Sequence, residues 1–402
     1  MKRLLKTKAT WTPIWMIAFL MLCMISIYLP VFGGPSQRLT NFPLIIVDED
    51  TGTSSLVTAK EIGNHLIQAQ NGHTFNWRIV PNKEAAVKEL KDNQAYGALI
   101  IPANYSDGIT ELHNALMTGK TEGKPIMLEI LINEGGGLST TAIATNVLES
   151  VATVASTDIS KHLKEDLLKN NILLSPNIAF LMDAPIQYTT TNVLDLPENS
   201  NKGMTPFMLV LITSISGLMG VNMINGYIKN ITGKLRDKDY LLTDTKILVT
   251  ELLLGVILAA IVAFILQLAI FGFFRSSHST SIWWIFLFTF LCCMTLHFQF
   301  KIVGLLFGKW GMLVMFPLNI MGVFSSGGAV PITSLPFIHR FFSTVLPTRY
   351  MVDGMRALLY YNGKLQAGLG TALLVITIFF IIFLGSCIAV GYRIHRKEQA
   401  NT

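Results

Sequence analysis

Charged side chains are scarce in this sequence. Only 14% of the 402 residues are Asp, Glu, Lys or Arg, whereas about 25% is usual in soluble proteins. Hydrophobic residues make up 51% of the chain, and this balance indicates a membrane protein. A formal net charge of +6 could suggest nucleic-acid binding, but the basic residues cluster beside apolar segments, where they act as topology signals. We therefore expect no nucleic-acid partner.

Cysteine is also rare and lies in the wrong places for disulfides. The four cysteines are Cys23, Cys292, Cys293 and Cys387, and each falls inside an apolar segment. No Cys-x-x-Cys spacing is present. The sequence excludes a disulfide framework and favours cysteines that serve as apolar packing residues.

Motifs for catalysis and cofactor binding are lacking. The end of the stretch 114–121 resembles a phosphate-binding loop, but Asn114 stands in place of the first glycine. The glycines at 135–137 resemble the start of a dinucleotide-binding fingerprint, but Thr140 stands where the last glycine is needed. The acidic run 48–50 could bind a cation, but successive side chains of a strand point to opposite faces, so we favour a solvated turn. We expect no catalytic residue, no metal site and no directly bound cofactor, and hence not an enzyme.

Long apolar runs are abundant and predict an α-helical membrane protein. The six predicted transmembrane helices are 14–32, 206–228, 247–273, 282–307, 312–324 and 371–392. The run 312–324 is short and contains Pro317, which favours a kinked or re-entrant helix. A cleaved signal peptide is the alternative for the first run, but that run exceeds a typical signal core and lacks an Ala-x-Ala site.

Between the first two runs, the composition is that of a soluble domain. Predicted strands are 43–48, 75–80, 96–101 and 126–132, and predicted helices are 59–70, 83–92 (capped by Asn82) and 139–168. Strands that alternate with helices predict an α/β or α+β domain. The polar stretch 170–201 is predicted to be a connecting arm. The chain thus divides into an N-terminus with its first span (1–33), an α/β domain (34–203) and a five-helix membrane domain (204–402).

Lys and Arg concentrate in three places beside the apolar runs: residues 1–13, the loop 229–246 and the tail after residue 392. Because basic residues beside membrane spans favour the cytoplasmic side, this positive-inside rule predicts cytoplasmic N- and C-termini. Six spans place all three basic segments on that side and the domain 34–203 on the other, extracytoplasmic side.

The most distinctive stretch is the segment 325–365, which is predicted to be an amphipathic segment half-inserted in the membrane surface. It reads Ser-Gly-Gly-x-x-Pro, then Leu-Pro-Phe, then Leu-Pro-x-x-Tyr-x-Val-Asp-Gly-x-Arg. The residues of this pattern are Ser326, Gly327, Gly328, Pro331, Leu335, Pro336, Leu346, Pro347, Tyr350, Val352, Asp353, Gly354 and Arg356.

This pattern resembles the end of the membrane domain in YhgE/Pip proteins, the phage infection protein-like members of the ABC type-2 (ABC-2) permease superfamily. The order of one span, a large external domain and several further spans is similar too. The resemblance implies the permease subunit of an exporter in a bacterial plasma membrane. Its implied partners are a separate ABC ATPase subunit that supplies ATP hydrolysis, a second copy or a sister permease, and membrane lipids.

The resemblance also implies amphiphilic drugs, peptides or lipid-like molecules as substrates. The candidate gate residues that it suggests are Gly327, Gly328, Pro331, Pro347, Tyr350, Asp353, Gly354 and Arg356. Arg349 and Asp353 lie four residues apart, so a structural ion pair on one helix face is the simpler interpretation, and contact with lipid headgroups or an anionic substrate is the alternative. A different class of function, a non-transporting scaffold or receptor, stays open because a large external domain on a membrane anchor also suits that role.

The loop after the second span is the candidate site for ATPase docking that the resemblance implies. Its candidate contact residues are Lys234, Leu235, Arg236, Tyr240, Leu241 and Leu242. The alternative is a basic topology anchor without a partner, because the charge pattern alone fits both.

Three ionisable residues fall within the predicted spans: Glu251, His297 and Lys301. Such groups are costly in lipid and are functional candidates by default. A contact between Glu251 and Lys301 or His297 could join two helices. For Glu251 and Lys301 we favour the alternative, side chains that extend to the membrane surface, because both lie near span ends.

Overall fold

The computed structural model describes residues 8–52, 74–118, 124–170, 181–236 and 242–400. The chain forms two compact units, Ser36–Leu196 on the one hand and Met1–Pro35 with Pro197–Thr402 on the other. The helix predicted at 59–70 lies outside the described residues.

The unit Ser36–Leu196 contains a mixed β-sheet. Its described strands are β1 (Phe42–Asp48), β2 (Phe75–Val80), β3 (Gly97–Ile101), β4 (Ile126–Ile132) and β5 (Ile186–Asn192). They are ordered β2-β1-β3-β4-β5, and only the β3–β4 pair among them is antiparallel. The four predicted strands are thereby confirmed.

Strand β1 is apolar on both faces because both faces of the sheet are covered. Leu44 and Ile46 pack into one hydrophobic cluster, whereas Ile45 and Val47 pack into another. Alternate side chains of a strand point to opposite faces, so a continuous apolar run is what a doubly covered strand requires.

Among the described residues, three helices cover this sheet: α2 (Lys83–Lys91) on the face of Ile45, and α3 (Tyr105–Thr118) and α4 (Leu138–Lys169) on the face of Leu44. The predicted cap of α2 is confirmed, because the Asn82 side chain accepts a hydrogen bond from the Ala85 N–H at 2.8 Å. The predicted helix 139–168 is confirmed as α4, whereas α3 was not predicted.

Helix α3 is capped by a residue from the acidic run, which was predicted to be a solvated turn. Asp50 accepts hydrogen bonds from the backbone N–H of Ser106 at 3.1 Å and from its hydroxyl at 2.5 Å. The neighbouring Tyr105 is buried, and burial together with the charges of Asp50 and Asp48 raises the pKa of its phenol. Asp50 therefore has a structural partner that local sequence could not indicate.

The prediction of an arm at 170–201 needs correction, since β5 occupies part of it. This strand pairs with β4 in parallel and is exposed along most of its length. Its core residue Ile186 donates its N–H to the buried Ser156 hydroxyl of α4 at 3.2 Å. An edge strand that consists mainly of polar residues lacks the apolar pattern by which the other strands are recognised.

The described part of the second unit consists of helices. They are α1 (Lys8–Phe32), α5 (Thr205–Arg236), α6 (Asp244–Gln267, continued by a π-helical turn Leu268–Phe273), α7 (Ile282–Phe307), α8 (Gly311–Phe324), α9 (Phe337–Val345), α10 (Thr348–Tyr360) and α11 (Leu369–Ala400). Of the described helices, five are long and apolar enough to cross a membrane: α1, α5, α6 with its π-helical turn, α7 and α11. The chain is a helical, multi-pass membrane protein.

Helix α8 differs from these five in length. Its 14 residues span roughly 21 Å, whereas the hydrocarbon core of a bilayer is about 30 Å thick. Pro317 lies inside it, as the sequence analysis noted. The sixth crossing therefore remains a prediction.

Helix α5 continues through much of the predicted loop 229–246. Its described part extends to Arg236, and α6 begins at Asp244 after the cap Thr243, whose hydroxyl accepts the Lys246 N–H at 3.4 Å. The predicted span ends at residue 228, where basic and polar residues begin, but Lys also suits the water-exposed turns of a long helix. The connection between the two helices is correspondingly shorter.

Candidate functional site

A charged network joins three of the membrane helices. Lys301 of α7 donates hydrogen bonds to the Glu251 carboxylate of α6 and to the Asn225 side-chain oxygen of α5, each at 2.6 Å. The side chains of Lys301 and Glu251 are 3% and 12% exposed. The favoured interpretation, in which both side chains extend to the surface, is therefore wrong: the two charges meet inside the bundle. We call Asn225, Glu251 and Lys301 the buried network.

The buried network can persist in an apolar surrounding because its charges are paired. An ammonium group donates at most three hydrogen bonds, and two of them go to Glu251 and Asn225. Hydrogen bonds that involve ionised groups are shorter and stronger than neutral ones, as the 2.6 Å distances illustrate. Removal of one partner would leave the other charge buried and unpaired. The network thus couples the positions of α5, α6 and α7.

His297 lies one helical turn from Lys301 and is 3% exposed. Its ring makes no hydrogen bond to Glu251 and packs against Gly255 of α6, where any Cβ would collide with the imidazole. Neither ring nitrogen has a hydrogen-bond partner in the described part of the chain. A cavity of about 10 Å³, which has room for about one water molecule, lies beside it and is lined partly by Thr213 and Ser216.

Two further polar pairs connect the helices and were missed in the sequence analysis. The Ser214 hydroxyl of α5 donates to the Asn319 side chain of α8, and Gln267 of α6 donates to Thr289 of α7 at 3.3 Å. All four residues are buried. Side-chain hydrogen bonds of this kind hold membrane helices together. A lone Asn or Gln within an apolar run was the signal that could have revealed them.

In the segment 325–365, helix α9 has two polar residues inside and most of its large apolar residues outside. His339 and Ser343 are buried, and the His339 ring contacts the backbone oxygen of Ile27 in α1 at 2.9 Å. The large side chains Phe337 and Phe341 are 84% and 56% exposed. This arrangement would be unfavourable in water but suits a helix whose outer face meets lipid.

Arg356 joins the two halves of the sequence motif. Its side chain is almost buried and reaches the carboxylate of Asp353 at 3.5 Å and the backbone oxygen of Gly327 at 3.4 Å. Asp353 also meets Arg349 at 3.6 Å, which is the predicted structural pair. Burial raises the pKa of the Asp353 carboxyl, and the two guanidinium groups act in the opposite direction. Helix α10 is thereby tied to the turn that follows α8.

The motif glycines occupy places where a side chain would not fit. Gly327 has a φ of +78°, which L-residues rarely adopt. A Cβ at Gly328 would collide with Phe207 of α5, and one at Gly354 would collide with Phe288 of α7. These residues therefore permit close packing of the motif against the membrane helices.

The remaining motif residues shape the backbone. The Pro331 oxygen accepts the Ser334 N–H at 2.9 Å in a turn before α9, and the Pro347 oxygen accepts the Met351 N–H at 3.1 Å at the start of α10. The Tyr350 hydroxyl donates to a backbone oxygen of α9 at 3.4 Å. The structure thus brings the candidate gate residues together as one packed turn-and-helix assembly.

One family model covers almost the whole chain, and this coverage is sufficient to assign the family. The model described as "ABC-2 family transporter protein" matches residues 9–389. The chain belongs to the ABC-2 transporter family. The resemblance seen in the motif is thereby confirmed, and the membrane helices, the buried network and the motif assembly are features of an ABC-2 family member.

A curated relative supports the same assignment over a shorter region. The protein described as "Uncharacterized protein YhgE" from Bacillus subtilis (strain 168) is 22% identical over 170 residues. The match covers 42% of this chain and 21% of the relative, so this chain aligns with about a fifth of that protein. No solved structure matches this ABC-2 family chain.

The candidate docking residues lie around the connection from α5 to α6. Lys234 is exposed and Leu235 half-buried near the end of α5, where Arg236 is the last residue. Leu242 is half-buried just before α6. Tyr240 and Leu241 lie outside the described residues. Within the described ranges, no group of three or more His, Cys, Asp or Glu side chains is placed to hold a metal ion.

Proposed function

We propose that this ABC-2 family protein is the membrane-spanning permease subunit of an exporter that is powered by a separate ATPase subunit. Its cargo would be an amphiphilic drug, peptide or lipid-like molecule. It would act as a homodimer or with a sister permease in a bacterial plasma membrane, with both termini and the α5–α6 connection in the cytoplasm and the unit Ser36–Leu196 outside.

The observation that carries the proposal is the buried network. Charged residues inside membrane helices are costly and are found where a protein moves or binds something. Glu251 lies seven residues after the start of α6, roughly 10 Å along the helix. Asn225 lies on α5, the other helix that borders the connection. The network therefore links both helices of the proposed docking segment to α7.

This arrangement supports a mechanical route from the ATPase to the permease. A partner that displaces the α5–α6 connection would move both helices, and the network would carry α7 with them because its hydrogen bonds resist separation of the three helices. Helix α7 in turn packs on α10, where Phe288 meets Gly354. A gate formed by the motif assembly could thus respond to nucleotide binding.

The test is purification of the tagged chain from its own host in mild detergent, followed by mass spectrometry of the bound proteins. A stoichiometric ATP-binding-cassette subunit is expected. Leu242→Asp should reduce its recovery, because a charge would replace an apolar contact of the docking segment. Asn230→Asp is the matched control, since it adds the same charge at an exposed position of α5. Recovery of the chain alone, or only with proteins that lack an ATPase, would overturn the proposal in favour of a scaffold or receptor.

A further inference from the structure

A pocket of about 430 Å³ lies between the start of α7, the end of α10 and the start of α11. One wall is formed by Trp284, Leu287, Phe288 and Leu291, which recur at the spacing of one helix face. The volume is within the range of small-molecule sites, about 300–1,000 Å³. None of the described lining residues is charged. The walls therefore suit an uncharged, apolar ligand.

The pocket has a buried floor and an open side. Phe288, Leu358 and Leu369 are less than a tenth exposed, whereas Leu287 and Leu373 at the rim are 51% and 38% exposed. Both α7 and α11 are long, apolar membrane helices, so their exposed sides face lipid. The pocket consequently opens towards acyl chains rather than towards water.

One end of the pocket is polar and rigidly built. The Thr280 hydroxyl donates to the Leu358 oxygen at 2.8 Å, and the Asn362 N–H donates to the Ser279 hydroxyl at 2.9 Å. The adjacent Trp283 is 74% exposed, and exposed Trp at a span end is typical of the membrane–water interface. This end would therefore lie at headgroup level.

The apolar walls extend inward from this polar end. Trp284 and Leu291 are seven residues apart on α7, which places them roughly 10 Å apart along the membrane direction. An elongated apolar groove with a polar mouth at headgroup level has the polarity pattern of a phospholipid. A peptide would need polar partners for its backbone groups deeper in the groove, where the lining residues are mainly Leu and Phe.

We propose that this pocket binds one acyl chain of a bilayer phospholipid, with the ester and headgroup region beside Thr280 and Asn362. The bound chain would fill the space between the motif helix α10 and two membrane helices. This lipid would be a bound structural component, distinct from any transported cargo, so the proposal does not rest on the proposed exporter function.

The test uses the full chain reconstituted into vesicles of phosphatidylcholine and phosphatidylglycerol that contain a small fraction of phospholipid with a diazirine in its acyl chain. After irradiation, labelled residues are mapped by mass spectrometry. We expect more label at Leu287 and Leu373 than at Leu374. Leu374 serves as the reference because it is 61% exposed but does not line the pocket.

Two matched variants test whether the pocket itself is the site. Leu373→Trp fills the pocket, and label at Leu287 should fall about tenfold, the factor that corresponds to 1.4 kcal/mol of binding free energy. Leu374→Trp, one residue further and outside the pocket, should leave that label unchanged. If Leu373→Trp does not elute as a folded protein in size-exclusion chromatography, Leu287→Trp repeats the test from the opposite wall. The label is then measured at Leu373.

Two results would overturn the proposal. Equal labelling of Leu373 and Leu374 in the unsubstituted protein, together with label at Leu287 that stays the same in both Trp variants, would mean that only ordinary annular lipid contacts these helices. Absence of label from Leu287 and Leu373 together with label at Leu374 would mean that protein, such as a helix of a second copy, covers the pocket instead.

Discussion

The two units of the molecule distribute their charges in opposite ways. In the unit Ser36–Leu196, the sheet core is apolar and ion pairs such as Lys83–Glu129 lie at the surface, with side chains 45% and 30% exposed. Among the membrane helices, large apolar side chains cover the outside and the Glu251–Lys301 pair lies inside. The same residue types therefore occupy reversed positions.

This reversal reflects the medium that each unit meets. In water, burial of apolar groups drives folding and charged groups stay hydrated at the surface. In lipid, the outside is as apolar as the core, so helices gain specificity from close packing and from internal polar contacts. A charged pair is thus expected to matter more in the membrane helices than in the sheet unit, and substitutions in each can test this.

The largest effect is expected from breaking the buried network. Glu251→Gln should leave the Lys301 ammonium buried without its counter-charge and destabilise the protein by about 3–5 kcal/mol. Thermal or denaturant unfolding in detergent would measure it. The double variant Glu251→Leu with Lys301→Met should recover much of the loss, because no charge is then left unpaired. Equal losses in the single and double variants would contradict a coupled pair.

A smaller effect is expected where α6 and α7 approach most closely. Gly255→Ala places a methyl group against the His297 ring, and such overpacking costs about 1–3 kcal/mol. The additional substitution His297→Ala should relieve the collision, so that the two changes together cost less than the sum of their separate effects. These free energies would be obtained from unfolding in detergent.

Gly226→Ala on α5 is the control for that experiment, because nothing lies within 4 Å of a Cβ built there. It should be neutral or stabilise by about 0.5–1 kcal/mol through helix propensity. A similar loss in both glycine variants would show that the effect comes from the membrane helices in general and not from the contact with His297.

How far the sequence could predict the structure depends on the range of the contacts involved. The bounds of α7 and the strands β1 to β4 follow from local apolar patterns and were predicted. The pairing of Glu251 with Lys301 was not favoured, because both residues lie near span ends and side chains there can extend to the membrane surface. The two residues are 50 positions apart, and only tertiary packing decides which helix faces meet. Strand β5 was missed for a related reason, since its place depends on pairing with β4 and not on its own polar residues.

A third prediction concerns the cap that joins the β1 end to α3. Asp50→Ala removes the acceptor for the Ser106 N–H and hydroxyl, and loss of such a cap costs about 0.5–2 kcal/mol. Asp50→Asn is the control, because an amide oxygen still accepts a hydrogen bond from the N–H. Hydrogen exchange of the first turn of α3 should increase in the Ala variant and change little in the Asn variant. Equal exchange in both would contradict a capping role.

The smallest effect is expected for the surface pair of the sheet unit. Lys83→Gln removes the partner of Glu129, whose carboxylate lies 2.5 Å from the Lys83 ammonium. Both side chains are partly in water, where an unpaired charge is hydrated, so the loss should be about 0–1 kcal/mol and should shrink further at high salt. Unfolding measured at low and at high salt would check this, with Lys88→Gln as a control for removal of one positive charge from the same helix. If Lys83→Gln lowered the free energy of unfolding as much as Glu251→Gln, the contrast between the two units would be wrong. Charge pairs in water and charge pairs among membrane helices would then stabilise the protein equally.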